Sequence, residues 1–388
     1  MKRLLFQTAA LAVAGTLLLT AFRPEPRTTG LPAAPVADSA RIQVAILLDV
    51  SGSMSGLIEQ AKAQLWHMTD LLSRARCNGR APVVEIALYE YGRPSNDAKT
   101  GYILRLSPFT TDLDELSKKL FSLNTDGGDE YCGQVIHASL NELPWDTAAG
   151  TYKVIFIAGN EDFLQGRLHY TQACAEANRK GVIVNTIYCG PREQGIREHW
   201  NLQGECGRGN FTHINHNASA EEPPTPYDSM LLVLNTQLNG TYIGYGATGV
   251  RAKAKQEEVD ALNNAVRGMA VKRTVVKGKK GVYKNTAWDL VDAYEADSSF
   301  IARVELNTLP DSLKGRSRSA LKSFVLQQQQ ERNRIQKEIS GLAVQREAYI
   351  EAERRRNAAS GGELTLETEM EKIIREQAGR FGVLIGKQ

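Results

Sequence analysis

Three oxygen-bearing side chains stand at alternate positions in the sequence DVSGS, namely Asp49, Ser51 and Ser53. They directly follow an apolar, partly β-branched run, Ile42 to Leu48, which is too short to cross a membrane and predicts a buried strand of a parallel sheet. In open α/β sheets, ligands bind at the carboxyl ends of the strands. A carboxylate and two hydroxyls at such an end suggest a site for a hard divalent cation, which prefers oxygen ligands.

The elements that must position these side chains alternate between strand and helix patterns. Further strands are predicted at Val83–Glu90, Gly101–Leu106, Lys153–Ala158, Val182–Tyr188 and Phe211–Ile214. Helices are predicted at Gly56–Arg74, after a cap at Thr111 or Asp112, around Val135–Leu143, at Arg167–Lys180 and at Asp228–Leu238. This alternation predicts an α/β fold with a doubly wound, mostly parallel six-stranded sheet. A short connection between the second and third strands predicts one antiparallel edge strand.

With its strand and following helix, the segment IQVAILLDVSGSMSG resembles the metal-ion-dependent adhesion site (MIDAS) of a von Willebrand factor type A (VWA) domain, a Rossmann-like fold. The resemblance covers roughly residues 40–239. It implies that Asp49, Ser51 and Ser53 are metal ligands and that Thr125 adds a hydroxyl. The family's further aspartate is missing after Ala158. Two outcomes are open: Asn160 or Glu161 takes part through a water molecule, or the metal is bound more weakly than is usual in the family. We interpret the nearby acids Asp126, Asp129 and Glu130 as charges favoured at a helix N-terminus.

The resemblance implies a divalent-cation-dependent, adhesion-type protein-binding module. The expected cofactor is Mg²⁺, or Mn²⁺ or Ca²⁺, and the expected partner is a protein that presents an acidic residue to the ion. No enzyme is predicted, because the chain has no G-x-x-x-x-G-K-[ST] loop and Met54 stands where a nucleophile elbow would carry serine. A net charge of +3 is too small to indicate nucleic-acid binding.

Two other functions are open at this point. The chain could be a structural envelope protein with a degenerate metal site that assembles through its helical tail. It could also be an accessory subunit of a metal-handling or hydrolytic complex.

The N-terminus predicts export. Lys2 and Arg3 precede the apolar run Leu4–Phe22, so residues 1–22 are expected to be a signal peptide or an uncleaved inner-membrane anchor. Residues 23–40, rich in Pro, Ala and Thr, predict a flexible linker. The body of the protein is then periplasmic or on the cell surface.

A VWA domain is predicted for residues 41–245 and a helical or coiled-coil extension, suited to docking or self-association, for 250–388. Leu313 to Arg356 predicts a helical hairpin or short coiled coil, because its apolar seam includes several polar residues. The basic stretch Lys272–Lys284 is interpreted as a solvated face.

The chain has five cysteines. In an oxidising compartment Cys189 could pair with Cys206, whereas Cys132 could join Cys77 or stay free. Cys174 is expected to be a buried thiol on a helix face.

Overall fold

Eight strands are formed by the part of the chain that the computed structural model describes, residues 40–202, 206, 208–217, 222–266, 268–357 and 365–386. They are β1 (Arg41–Asp49), β2 (Ala75–Cys77), β3 (Val83–Tyr91), β4 (Leu104–Thr110), β5 (Tyr152–Gly159), β6 (Ile183–Cys189), β7 (Phe211–Ile214) and β8 (Val383–Ile385). The predicted signal or anchor segment lies outside the described residues, as does the linker except for Ala40.

Six of these strands form one sheet in the order β4-β3-β1-β5-β6-β7. Only β4 is antiparallel to its neighbour, and its register with β3 is irregular. The predicted fold class, a mostly parallel six-stranded sheet with one antiparallel edge strand, is confirmed. From β1 the chain first adds β3 on one side and later β5 on the other. The carboxyl ends of β1 and β5 therefore flank the switch point at which such sheets bind ligands.

Thirteen α-helices accompany the strands in the described residues. They are α1 (Ser55–Ser73), α2 (Leu113–Phe121), α3 (Cys132–Glu142), α4 (Tyr170–Lys180), α5 (Arg192–Arg197), α6 (Asp228–Gly240), α7 (Gly246–Asn264), α8 (Met269–Lys277), α9 (Leu290–Ala296), α10 (Phe300–Arg303), α11 (Asp311–Lys314), α12 (Arg318–Asn357) and α13 (Leu366–Ala378). None of the described helices combines the length and the apolar character needed to cross a bilayer.

The central strand β1 is buried on both faces, which explains why its apolar run is continuous rather than alternating. On one face Ile46 packs in a core that includes residues of α1 and α13. On the other face Ala45 and Leu47 pack in a core formed with α3 and α4. Every residue from Ile42 to Asp49 is thereby removed from water.

The C-terminal helix α13 covers part of the sheet. Met370 and Ile374 are buried in the same core as β1 and β5. At its end Gln377 donates to Asn185 on β6 (2.7 Å) and accepts from the Tyr152 hydroxyl on β5 (3.0 Å). Beyond it, β8 pairs with β2. The division into residues 41–245 and 250–388 stays a prediction, but the two parts share one hydrophobic core.

The basic stretch at α8 is not a solvated face, contrary to the interpretation from sequence. Arg273 is buried between Asp114 of α2 (2.6 Å) and Asp260 of α7. Lys277 is fully buried and contacts Asp260 as well (3.0 Å). Such charges are tolerated in a protein interior only when they are paired and hydrogen-bonded. These positive charges therefore hold helices together instead of facing a polyanion.

The predicted hairpin in Leu313–Arg356 is wrong, because α12 is one continuous helix of 40 residues. Its seam packs against α6, α8, α9 and α10 of the same chain. Buried charged residues of α12 have partners in the segments it packs against. Arg332, for example, bonds Asp289 and Asp292 (both 2.7 Å), and Arg346 bonds Glu222 (2.6 Å). Self-association through this helix stays a prediction.

The cysteine pairing also differs from the expectation. Cys206 forms a disulfide with Cys174 of α4, so Cys174 is not a free thiol and the predicted Cys189–Cys206 bond is not made. Cys174 and Cys206 belong to the core on one face of the sheet, whereas Cys189 packs on the opposite face. Position along a strand does not reveal this difference. Cys77, Cys132 and Cys189 are free.

The core contact of α13 gives a first prediction. Ile374→Ala should lower the free energy of unfolding by about 2–5 kcal/mol, because it leaves a cavity under the helix. Val344→Ala on α12 removes a side chain that is 55% exposed and should change that free energy by less than about 0.5 kcal/mol. Denaturant unfolding measures both, and equal losses would contradict the role of α13 in closing the core.

A second prediction concerns His67 of α1. Burial lowers its pKa, but the carboxylates of Glu371 (2.8 Å) and Glu367 on α13 outweigh burial and the opposing charge of Lys272, and they raise the pKa above 6.5. Protonated His67 is thus favoured in the folded chain. Its contribution is complete below the unfolded-state pKa and is lost as pH rises through the raised value. His67→Gln should therefore destabilise the protein more at about pH 6 than at about pH 9. A pH-independent difference in unfolding free energy would refute this.

Candidate functional site

The predicted metal-binding segments meet at the carboxyl edge of the sheet. The amide of Asp126 donates to the carbonyl of Val50 (2.9 Å), which ties the α2–α3 loop to the loop after β1. The Arg93 guanidinium, just beyond β3, donates to the carbonyl of Asn124 in the same α2–α3 loop. Thr125 is therefore held between two anchored neighbours, beside the loop that carries the other predicted ligands.

Asp49 is the last residue of β1 and is fully buried. One carboxylate oxygen, Oδ1, accepts from the amide of Ser51 (2.7 Å), and the other, Oδ2, is buried without a hydrogen-bond partner. Burial raises the pKa of Asp49 to about 6, although interactions with the Ser51 amide and hydroxyl, the Glu130 carboxyl and the Asn160 amide oppose the shift. The Ser51 hydroxyl is also buried and unpartnered. Both side chains thus present oxygen atoms that lack a donor.

Ser53 and Asn160 reach each other from different loops. The Asn160 side-chain amide donates to the Ser53 hydroxyl (3.2 Å), while its Oδ1 atom is buried without a partner. Ser53 itself is exposed. Glu161 is exposed too, and its carboxylate accepts from Gln165 (3.3 Å). The structure thus brings Asn160 to a predicted ligand, whereas it gives the Glu161 side chain a different partner.

Glu130 lies beside Asp49, and the sequence did not predict it as a site residue. A Cβ atom on Gly92 would be 2.8 Å from Glu130 Cγ and 3.1 Å from Asp49 Oδ1, so the two acids flank one backbone position. Burial and the charge of Asp49 raise the pKa of Glu130 to about 9. Glu130 directly precedes the N-cap of α3, as the interpretation of a helix N-terminal charge expects, but it is only 3% exposed and is therefore a buried acid at this edge.

Gly159 explains why the family's aspartate is missing. The Tyr91 hydroxyl donates to the Ala158 carbonyl (3.0 Å) and lies against Gly159. A Cβ atom on Gly159 would be 2.5 Å from that hydroxyl oxygen and 3.0 Å from Asp49 Oδ2. Contacts that short are not tolerated in a packed interior. No side chain can therefore stand at this position while Tyr91 and Asp49 keep their places.

The donor set of this edge fits a hard cation. Four buried oxygen atoms have no hydrogen-bond donor: Asp49 Oδ2, Ser51 Oγ, Glu130 Oε2 and Asn160 Oδ1. Buried acceptors without partners are costly and call for an explanation such as an ion or water. The described residues contain no group of three or more His, Cys, Asp or Glu side chains that could hold a metal. An ion here would need hydroxyl and amide oxygens as well, and the ligand roles stay predictions.

Two residues at this edge, Glu130 and Tyr91, are not predicted as site residues by the sequence. Glu130 stands five positions after Thr125 in the same loop, so the topology that brings Thr125 to the edge also brings Glu130. The signal was present but has an equally good explanation as a helix-terminal charge. Tyr91 ends β3 one residue beyond the predicted strand, and nothing in the sequence indicates that its hydroxyl fills the space beside Gly159.

The crowding at Gly159 gives a third prediction. Gly159→Ala should destabilise the fold by about 1–3 kcal/mol, because Tyr91 or Asp49 must move. Gly127→Ala is the matched control in the same edge, since its Cβ would meet nothing within 4 Å. Chemical unfolding compares the variants. Equal stability of the two would show that the space beside Gly159 is not filled as described.

The chain was compared with protein families, curated proteins and solved structures. No family model matches the chain, and a comparison with curated proteins found no match. Similar solved structures include VWA domains, the family that the sequence resembles. The VWA domain of SpRpn10 is 13% identical over 48% of this chain, with a TM-score of 0.34. BatB from Bacteroides thetaiotaomicron is 15% identical over 45%, with a TM-score of 0.33. Proximal thread matrix protein 1 from the mussel byssus, with a zinc-occupied MIDAS motif, is 12% identical over 45%, with a TM-score of 0.34. The match spans 90% of each of the first two chains and 42% of the third.

Proposed function

We propose that this chain is a non-enzymatic module that binds another protein through a divalent cation at the carboxyl edge of its sheet. The observation that carries the proposal is the convergence there of buried oxygen atoms without donors. An all-oxygen set with carboxylate, hydroxyl and amide groups suits Mg²⁺, with Mn²⁺ and Ca²⁺ as alternatives. Asp49, Ser51, Ser53 and Thr125 would hold the ion, and Asn160 would contribute through its side-chain oxygen.

The exposed rim of the site suits a partner that approaches from solvent. Ser53, Asp126 and Gly127 are exposed, whereas Asp49 and Ser51 lie beneath them. A side chain of another protein can reach this rim without displacing any strand. The cation attracts an acidic residue most strongly, so a partner that presents Asp or Glu is the expected ligand.

The free thiols near this edge support a binding role over a catalytic one. Cys132 and Cys189 are buried, and burial raises the pKa of both, with the charge of Asp49 as a further cause. The thiolate form is the nucleophile. Both thiols therefore stay protonated and unreactive at neutral pH.

The proposed location is the periplasm or the cell surface. The Cys174–Cys206 disulfide supports it, because such bonds form and persist mainly in oxidising compartments. The packing of α12 and α13 against their own chain favours this binding role over assembly through the tail.

A titration of the full chain with Mg²⁺ or Mn²⁺ tests the proposal. At an ion concentration of about 100 times Kd, binding should stabilise the fold by about 2.7 kcal/mol. Asp49→Asn should abolish this gain, because it removes the buried carboxylate. The matched control is Asp129→Asn, which changes an exposed acid in a neighbouring loop. Capture of envelope proteins in Mg²⁺ but not in EDTA would then identify the partner. No stabilisation by either ion would end the proposal.

A further inference from the structure

We infer that Glu130 is a direct ligand of the proposed cation and supplies the second carboxylate that Gly159 cannot carry. This inference rests on the proposed function. It assigns a role to a residue that lies outside the D-x-S-x-S segment and outside the loop after β5.

The Glu130 carboxyl group lies close to that of Asp49. Glu130 and Asp49 are 3% and 0% exposed, and both border the space that a Cβ atom would occupy on Gly92. Each keeps one oxygen, Oε2 and Oδ2 respectively, without a hydrogen-bond donor, and the Ser51 hydroxyl beside them is also unpartnered. The two carboxyl groups and the Ser51 hydroxyl interact with one another in this buried region, but none of these three oxygen atoms makes a hydrogen bond of regular geometry, which burial normally requires.

The two buried carboxyl groups also lack a compensating positive charge in the described residues. Within the described part of the chain, neither Asp49 nor Glu130 has an ion-pair partner, in contrast to the buried acids Asp114 and Asp260. Two carboxyls close together in a low-dielectric interior oppose each other's ionisation. One divalent cation between them would offset both charges at once, whereas a purely structural role would be served better by an uncharged side chain.

A hydrogen bond from its backbone amide also holds Glu130 in place. The backbone amide of Glu130 donates to Gln165 Oε1 (3.2 Å). The Nε2 atom of the same Gln165 side-chain amide donates to the Glu161 carboxylate. Gln165 in turn is fixed by its own amide, which donates to the Asp162 carbonyl (3.1 Å). The loop after β5 therefore positions the loop before α3. This contact fixes the backbone from which the Glu130 side chain extends toward Asp49.

The two loops also explain how a carboxylate can come from this side. At Gly159 the Tyr91 hydroxyl and Asp49 leave no room for a side chain. On the opposite flank of Asp49, glycine at position 92 leaves the space that the Glu130 side chain occupies. The missing and the additional carboxylate are thus two consequences of one packing arrangement around Asp49.

The affinity of the full chain for Mn²⁺ alone provides the first test, by isothermal titration with wild type, Glu130→Gln and the control Asp129→Asn. Glu130→Gln should weaken binding by at least about 10-fold, the lower bound for loss of a supporting group at a metal site. Asp129→Asn should bind like wild type. Without metal, Glu130→Gln should melt no earlier than wild type, because it removes one of two opposed buried carboxyls. A merely structural role of Glu130 would instead lower that melting temperature.

Bound Tb³⁺ provides the second test, because its luminescence lifetimes in H₂O and D₂O count the water molecules on the ion. Loss of a direct ligand in Glu130→Ala should add about one or two waters, whereas a residue that acts through another ligand should leave the count unchanged. Asp129→Ala is the control.

The outcomes separate the two proposals. If wild type binds Mn²⁺ and Glu130→Gln binds equally well with an unchanged water count, the role of Glu130 is overturned and the proposed function stands. If wild type binds neither Mn²⁺ nor Mg²⁺, the proposed function fails, and the inference about Glu130 fails with it.

Discussion

The structure depends on burying one carboxylate at the centre of its sheet. Asp49 ends β1, which has parallel neighbours on both sides and flanks the switch point, so it is enclosed by β3, β5 and the loops that follow them. An isolated buried carboxylate is unfavourable unless hydrogen bonds or a positive charge compensate for it. The Ser51 and Asn160 amides supply part of that compensation. The compensation that is still missing explains the packing of the whole edge. Gly92 and Gly159 carry no side chain, so neighbouring groups can lie close to Asp49.

The rigidity of this edge comes from parts of the chain that are distant in sequence. Helix α13 closes the face of the sheet that α1 leaves uncovered, and the pairing of β8 with β2 fixes the end of the chain. Buried ion pairs around Arg273 and Arg332 hold α7, α8, α9 and α12 to this core. The site is therefore placed on strands whose packing is completed only by the last residues of the described chain. A fragment ending near residue 245 would expose the apolar surface that Met370 and Ile374 cover.

The sheet could be predicted from sequence because its signals are local. Strand runs, the Asp112 cap of α2 and the Gly181 cap of α4 each lie within a few residues. The predictions that were wrong depend instead on contacts between residues that are far apart in the sequence. The Cys174–Cys206 bond depends on which face of the sheet each thiol occupies, and the burial of Lys277 depends on an acid 17 residues away. The seam of α12 is weak as a coiled-coil pattern because it packs against other helices of the same chain, where Arg346 pairs with a residue about 120 positions away. Glu130 could not be predicted for the same reason, since only the enclosure of Asp49 gives it a role.

The charge of the site limits what kind of partner could bind it. On the proposal that both Asp49 and Glu130 hold the ion, two carboxylates offset its two positive charges, so a partner carboxylate meets a formally neutral centre and gains less Coulomb energy than at a singly charged one. The exposed rim adds the negative charge of Asp126. An acidic residue stays the expected ligand of the ion, but it gains less free energy from this contact than it would at a site with a single carboxylate. An acidic residue flanked by basic or hydrogen-bonding groups would meet the ion and its rim together, and we expect the recognised surface to have that mixed character because complementarity of the rim decides specificity more than the central contact does.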